Sequence, residues 1–210
     1  MRFKAAVLGA ALLMLGAGAA SAGSNYVGLT GGMGIPTGDF SNGAGAGYQF
    51  GATGTHYVND MWGFGGDLAY HGWGVSKDLK NAFEADPNYG PDTKVSFSAL
   101  QATAHATMAF QNSGNVRPYA QFGLGLYNIA GKIEPGPSGD PAFKSDGSES
   151  KLGYNIGAGM NFLGSSNMQW GFSGAYHIIP VDSGSSSGIG TDLNFMQVGV
   201  NVQWGMGGSK

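Results

Sequence analysis

Four histidines (His56, His71, His105 and His177) and one aspartate set in an alternating stretch, Asp67, are the residues of this chain with the widest chemical range. A carboxylate beside an imidazole orients the ring, selects one tautomer and can pass a proton. Three or four such groups converging would hold a metal ion. The chain has no cysteine, which removes disulfides and thiolate chemistry. What the remaining groups can do depends on where they point, and that depends on the elements that carry them.

The elements are strands. In residues 152–162, Leu152, Tyr154, Ile156, Ala158, Met160 and Phe162 alternate with Gly153, Asn155, Gly157, Gly159 and Asn161. Successive side chains of a strand point to opposite faces, so this segment has one apolar and one polar face. The same pattern marks eight strands, at roughly 25–35, 46–58, 62–73, 95–110, 117–130, 151–163, 168–179 and 193–204. Soluble strands average about 5–6 residues, whereas a tilted membrane-crossing strand needs about 9–11. Connections alternate in length. Asn59-Asp60-Met61, Gln111–Asn115 and Gly164–Asn167 are tight, while 36–45, 74–94, 131–150 and 180–192 are long. Short turns on one side and long loops on the other are the signature of an outer-membrane barrel. The fold predicted is all-β: an eight-stranded antiparallel up-and-down transmembrane β-barrel, with both termini in the periplasm.

The predicted outward face carries no Lys, Arg, Asp or Glu. It includes Phe50, Phe64, Leu68, Leu100, Phe122, Leu124, Leu126, Phe172, Val198 and Val200. A basic side chain at the bilayer midplane costs roughly 2–4 kcal/mol, so lipid exposure demands this absence. Aromatic residues sort by height. Trp62, Phe110, Phe162, Trp170 and Trp204 fall at the turn ends of their strands, and Tyr48, Tyr70, Tyr154 and Tyr176 toward the loops. Two such belts are expected at the two lipid–water interfaces.

The first residues read as an export signal: Arg2 and Lys4, an apolar run from Ala5 to Leu15, then Ala20-Ser21-Ala22 before Gly23. Residues 1–22 are therefore set aside as a cleaved signal peptide, and 23–210 as the barrel domain. All thirteen acids but only eight of the ten bases follow residue 22, leaving the mature chain about five charges negative. That balance argues against nucleic acid as a partner. Charged residues are 11% of the chain, well below the roughly 25% of soluble domains. The forty glycines show no three-residue period that would suggest collagen.

From these residues the chain resembles the small OmpA/OmpX-like family of outer-membrane barrels. The likeness is carried by Tyr26-Val27-Gly28-Leu29, by Gly34-Ile35-Pro36-Thr37-Gly38-Asp39-Phe40-Ser41 and by the closing strand Phe195–Trp204. It implies residence in the bacterial outer membrane among phospholipid and lipopolysaccharide, and insertion by the barrel assembly machinery. The last strand is similar to the segment that machinery reads, although Gly205–Lys210 follow it. The resemblance implies no cofactor. Lipid A deacylases of similar shape use a His-x-Ser motif, and none of the four histidines stands in one. A non-enzymatic role is expected.

On this frame the polar face turns into the barrel. It brings inward Gln49, Thr53, Asp67, His71, Gln101, Thr103, His105, Thr107, Tyr119, Gln121, Tyr127, Asn155, Asn161, Gln169, Ser173, His177, Gln197, Asn201 and Gln203. Asp67 and His105 fall at similar heights on adjacent strands, which predicts a hydrogen bond between them. His71 and His177 lie higher and on opposite walls, which argues against a converging metal site, and His56 faces outward. Two roles remain open. One is a structural or surface-interaction role through the long loops. The other is a narrow channel or a passage for small or apolar solutes. Ser76–Ala85 should form a short loop helix capped by Ser76, with Leu79, Ala82 and Phe83 on one face. The loop lysines Lys77, Lys80, Lys94, Lys132, Lys144 and Lys151 could meet lipopolysaccharide phosphates. Ser183–Gly190 reads as flexible, and the barrel is expected to be a monomer.

Overall fold

The computed structural model describes residues 24–110, 114–164, 167–181 and 192–206. The signal segment 1–22, the Ser183–Gly190 stretch and most of the Gln111–Asn115 turn lie outside them. Eight strands follow in order: β1 (Ser24–Thr37), β2 (Ala44–Tyr57), β3 (Trp62–Val75), β4 (Lys94–Ala109), β5 (Val116–Glu134), β6 (Ser145–Leu163), β7 (Met168–Ile179) and β8 (Leu193–Met206). Each pairs antiparallel with the next, and β8 pairs back onto β1. The closing seam runs without a register break from Asn25↔Met206 to Thr37↔Asn194. Every strand is therefore bonded on both sides through the belt. That is the only way a sheet satisfies its backbone in hydrocarbon.

Among the described residues two helices and a 3₁₀ turn decorate the loop end: α1 (Phe40–Gly43), α2 (Lys77–Ala85) and Pro141–Phe143. The expected helix at 76–85 is α2, and Ser76 caps it, its hydroxyl accepting from the Leu79 N–H at 3.3 Å. The strands run further toward the loops than their alternation suggested. β5 reaches Glu134 and β6 begins at Ser145, so the connection expected over 131–150 shrinks to 135–144. Above the belt both faces of this hairpin meet water, so apolar alternation ends. The ladder continues on cross-strand pairs such as Lys132↔Asp146 and Asn128↔Ser150.

The outward face is apolar, with Leu29, Phe50, Phe64, Phe122, Leu124, Ile156, Phe172 and Val200 all exposed. The packed interior is the lumen. Its bulky side chains lie over glycines of the neighbouring strand. A methyl at Gly65 would meet His105 Nε2 at 2.8 Å as well as the Gly54 carbonyl, and one at Gly153 would meet the Tyr127 ring at 2.9 Å. Glycine at these positions lets one ring cross a whole strand.

Candidate functional site

The lumen divides into a polar lower part, toward the short turns, and an aromatic upper part, toward the loops. The lower part centres on Asp67. Its Oδ2 accepts from His105 Nδ1 at 2.9 Å, Gln121 Nε2 at 3.2 Å and Thr103 Oγ1 at 3.4 Å. The register explains the convergence: Asp67 pairs with Thr103, and His105 lies two residues further along the same face of β4. Across the gap left by Gly65, His105 Nε2 lies 3.0 Å from the Thr55 hydroxyl. In the neutral tautomer whose Nδ1 donates to the carboxyl, Nε2 accepts from the Thr55 hydroxyl. Beside this network is a cavity of about 80 Å³, lined by Thr30, Gln49, Thr55, Thr107, Asn161, Asn201 and others. That is room for roughly five to eight waters at about 10–15 Å³ each. Gln49 Oε1, Thr107 Oγ1, Asn161 Oδ1 and Asn201 Nδ2 are buried without a protein partner among the described residues. Buried polar atoms are rarely left unpaired, so these four call for water in the cavity.

The upper lumen is mainly apolar and closely packed. Phe40, Trp73, Tyr127, Ile129, Ile179, Leu193 and Phe195 form one buried cluster, with Phe97 packed against it. Phe195 is the keystone. Its ring stacks on His177 with centroids 4.4 Å apart and meets Trp73 edge-on at 4.8 Å and His71 at 4.9 Å. Phe40, carried in from the first loop by α1, caps the cluster against Trp73 at 5.3 Å and Phe97 at 5.9 Å. The two histidines of this level do meet. Their ring centroids are 5.4 Å apart, which corrects the expectation that opposite walls keep them separate. The reason is the narrowness of a glycine-lined eight-stranded lumen. His71 Nε2 pairs with Gln101 Oε1 at 2.9 Å, His177 Nδ1 with the Tyr127 hydroxyl at 3.0 Å, and His177 Nε2 with Gln197 Oε1 at 3.2 Å. Among the described residues no cluster of three or more His, Cys, Asp or Glu could hold a metal.

At the turn end, Arg117 lies over the Tyr57 ring at 4.2 Å and donates to the Asp60 carbonyl at 2.7 Å. Trp62, Phe110, Phe162, Trp170 and Trp204 stand at this end of their strands, with Phe162 and Trp170 stacked at 4.5 Å. Tyr48, Tyr70, Tyr154 and Tyr176 stand toward the loops, and Tyr176 accepts from the Thr37 hydroxyl at 3.0 Å. His56 pairs with Asn25 on β1, ring to amide, at 2.6 Å.

The loops lock to one another. Ser76 donates from its N–H to Gly43 O at 2.9 Å and from its hydroxyl to Asn42 O at 2.8 Å, tying α1 to α2. Gly136 N–H donates to Tyr89 O at 2.8 Å, and Asp140 N–H to Asn88 O at 2.9 Å. Tyr89 lies between Phe83 and Phe143, at 4.7 and 5.5 Å. On the adjoining hairpin Lys132 donates to Glu134 at 2.8 Å. That bond holds the exposed Glu134 carboxyl below, and the Lys132 ammonium above, their ordinary values.

The model of the outer membrane protein β-barrel domain family matches residues 6–205. The chain belongs to that family. Its fold is shared with solved barrels of low identity. Neisserial surface protein A aligns with a TM-score of 0.56 at 15% identity, over 86% of this chain and 96% of that one. The attachment invasion locus protein Ail of Yersinia pestis, in complex with the heparin analogue sucrose octasulfate, aligns with a TM-score of 0.51 at 17% identity, over 87% and 99%. A major outer membrane protein of Thermus thermophilus aligns with a TM-score of 0.50 at 11% identity, over 87% and 99%. No curated protein matches the chain in sequence. The family supports a place in the outer membrane; the likenesses describe a scaffold, and scaffolds of this kind host many functions.

Sequence reasoning missed two features of the site. The first is the plug. Trp73, Phe97, Ile129, Ile179, Leu193 and Phe195 share the inward parity of the polar residues below them, so the alternation reverses its sense near the loop ends. That reversal was readable. The second is Arg117, which the same parity turns inward beneath Tyr57.

Proposed function

We propose that this chain is an integral barrel of the bacterial outer membrane, sealed at rest, whose loops face the cell exterior and act as an interaction surface while both termini face the periplasm. The observation that carries the reading is the aromatic plug. An eight-stranded lumen is just wide enough for its own side chains, and here the upper ones are apolar and packed ring against ring. Supporting it, the seam between β1 and β8 is bonded along its length, which leaves no lateral gap for an apolar solute. The two aromatic belts fix the barrel's height at the lipid interfaces. No catalysis is assigned to it.

The loop end sets the kind of partner. Among the described residues it carries ten carboxylates (Asp39, Asp78, Glu84, Asp86, Asp92, Glu134, Asp140, Asp146, Glu149 and Asp192) against six lysines. That excess repels a polyanion such as the sucrose octasulfate bound by Ail, and favours a cationic partner. Contact with lipopolysaccharide then runs through the lysines locally and through divalent cations at the carboxylates. Planar-bilayer recording at neutral pH tests the seal: the refolded barrel should insert and stay silent, and steady conductance would refute it. A protease site inserted within residues 137–139 tests orientation. Cleavage on intact cells is expected, and protection until the outer membrane is lysed would reverse the barrel.

A further inference from the structure

The lumen holds a polar-lined cavity that reaches from near its turn end to the level of Gln49, Gln101 and His177, and above that level it is packed with apolar side chains. The cavity lining descends to Tyr57 and Asn161, which stand on the last rungs at the turn end. A single aromatic plug therefore separates this cavity from the loop side. The base of the plug contains two imidazoles, His71 and His177, which are 0% and 2% exposed. An apolar plug of the same size needs neither.

The surroundings of the pair are neutral. Gln101 from β4, Tyr127 from β5 and Gln197 from β8 supply the hydrogen bonds, and Phe195 packs on both rings. His71 Nδ1 has no partner among the described residues, so it keeps a free lone pair able to take a proton. The charged groups on the surrounding elements are engaged elsewhere. On β3, Asp67 is held by His105, Thr103 and Gln121. On β6, Lys151 and Glu149 pair with each other at 2.6 Å. On the last loop, Asp192 accepts from the Val181 N–H at 3.0 Å. On the first loop, Asp39 precedes the Phe40 cap and is exposed. Among the described residues no carboxylate bonds either ring, and Asp67, lower in the lumen, is the one carboxylate whose field reaches His177.

We propose that His71 and His177 form an acid-operated gate: protonation of both places two like charges, with ring centroids 5.4 Å apart, inside an aromatic plug, parts the rings, and joins the wet cavity to the loop side as a narrow aqueous pore. The sign follows from the charge. Protons are taken up as pH falls, the charged pair repels itself and seeks water, and the hydrated state is the open one. The lumen below already offers hydrogen-bonding groups to passing ions, so the plug is the apolar barrier on the path, and the flexible Arg117 side chain over Tyr57 is the polar constriction at the turn end.

The test uses the full mature chain refolded into planar bilayers, with pH stepped from about 7 to about 4, across and below the ordinary imidazole range. Unboiled gel mobility at each pH shows that the barrel remains folded. Reversible openings should become at least about tenfold more frequent at the acid end, and a His71→Gln/His177→Gln double variant should lose that rise. Silence of the folded wild type at every pH, or an identical rise in the double variant, overturns the gate. A second measurement needs no variant: NMR of the imidazole ring protons in micelles should show both rings titrating with the openings, and rings that stay neutral while the pore opens overturn it. Conductance at neutral pH that still rises with acid, and loses the rise in the double variant, would sink the sealed resting state and keep the gate. Conductance independent of pH would sink both.

Discussion

Phe195→Ala tests whether the upper lumen is a packed core. The side chain is fully buried and its ring meets three others, those of His177, Trp73 and His71. Truncating a buried Phe in a close-packed interior costs about 3–5 kcal/mol, because a cavity is left where the surroundings cannot collapse. Collapse is restrained here, since the barrel wall is hydrogen-bonded on both sides of β8. Each lost aromatic pairing is worth a further ~0.5–1.5 kcal/mol, partly counted already in that range. The expected loss is about 4 kcal/mol. Phe122→Ala is the matched control. Phe122 is 52% exposed on the outward face, where lipid fills the vacated space and only the transfer term of about 2 kcal/mol is lost. Reversible guanidinium unfolding in lipid vesicles, followed by tryptophan fluorescence, gives both numbers. If Phe195→Ala costs no more than Phe122→Ala, the ring is not part of a packed plug and the sealed-lumen reasoning fails.

Four further outcomes follow from the geometry. Leu124→Lys, in the middle of the outward stripe of β5, should lose roughly 2–4 kcal/mol in the same vesicle assay, whereas Gln121→Lys on the inward face should lose less. Gly65→Ala should perturb the His105 ring, because the added methyl would meet Nε2 at 2.8 Å and the Gly54 carbonyl behind it. An unchanged His105 ring-proton resonance would contradict the crossing to Thr55. Asp67→Ala strands three donors that now converge on one oxygen, so a loss of about 3 kcal/mol is expected by denaturant unfolding. Ser76→Ala removes the cap of α2 and the hydroxyl bond to Asn42 O of α1, while the backbone bond to Gly43 O stays. It should cost about 1 kcal/mol locally, read as faster amide exchange over 77–85 with the barrel core unchanged.

The barrel was legible because its two faces obey one simple rule over long stretches. Parity alone turns Asp67, Gln101, His105 and Gln121 to the same side, and equal heights on neighbouring strands put Asp67 beside His105. The N-cap at Ser76 was legible for the same reason, being a local matter of a hydroxyl and the N–H three residues on. What parity cannot carry is distance across the lumen. His71 and His177 are 106 positions apart and belong to strands that never pair. Their meeting depends on the barrel's diameter and on glycines that contribute no volume. Phe40 was hidden differently: it sits in a loop, where no period applies, and is drawn inward by the apolar mouth it closes. The ends of β5 and β6 were hidden because a hairpin standing in water has no reason to alternate.

The reversal of polarity along the lumen ties these observations together. A lumen that served only as packing could be apolar throughout, since its walls already satisfy every backbone group in the belt. This one is polar around its cavity, with four buried atoms there that call for water. It is apolar only in a layer near the loops, and that layer holds two of the chain's four histidines. Burying a polar ring costs free energy unless each of its nitrogens is bonded, and His71 keeps one unbonded. Replacing the pair by Leu or Phe would make a tighter seal at lower cost. A seal built from the more expensive residues makes physical sense if it is meant to fail under one condition, and for an imidazole that condition is acid.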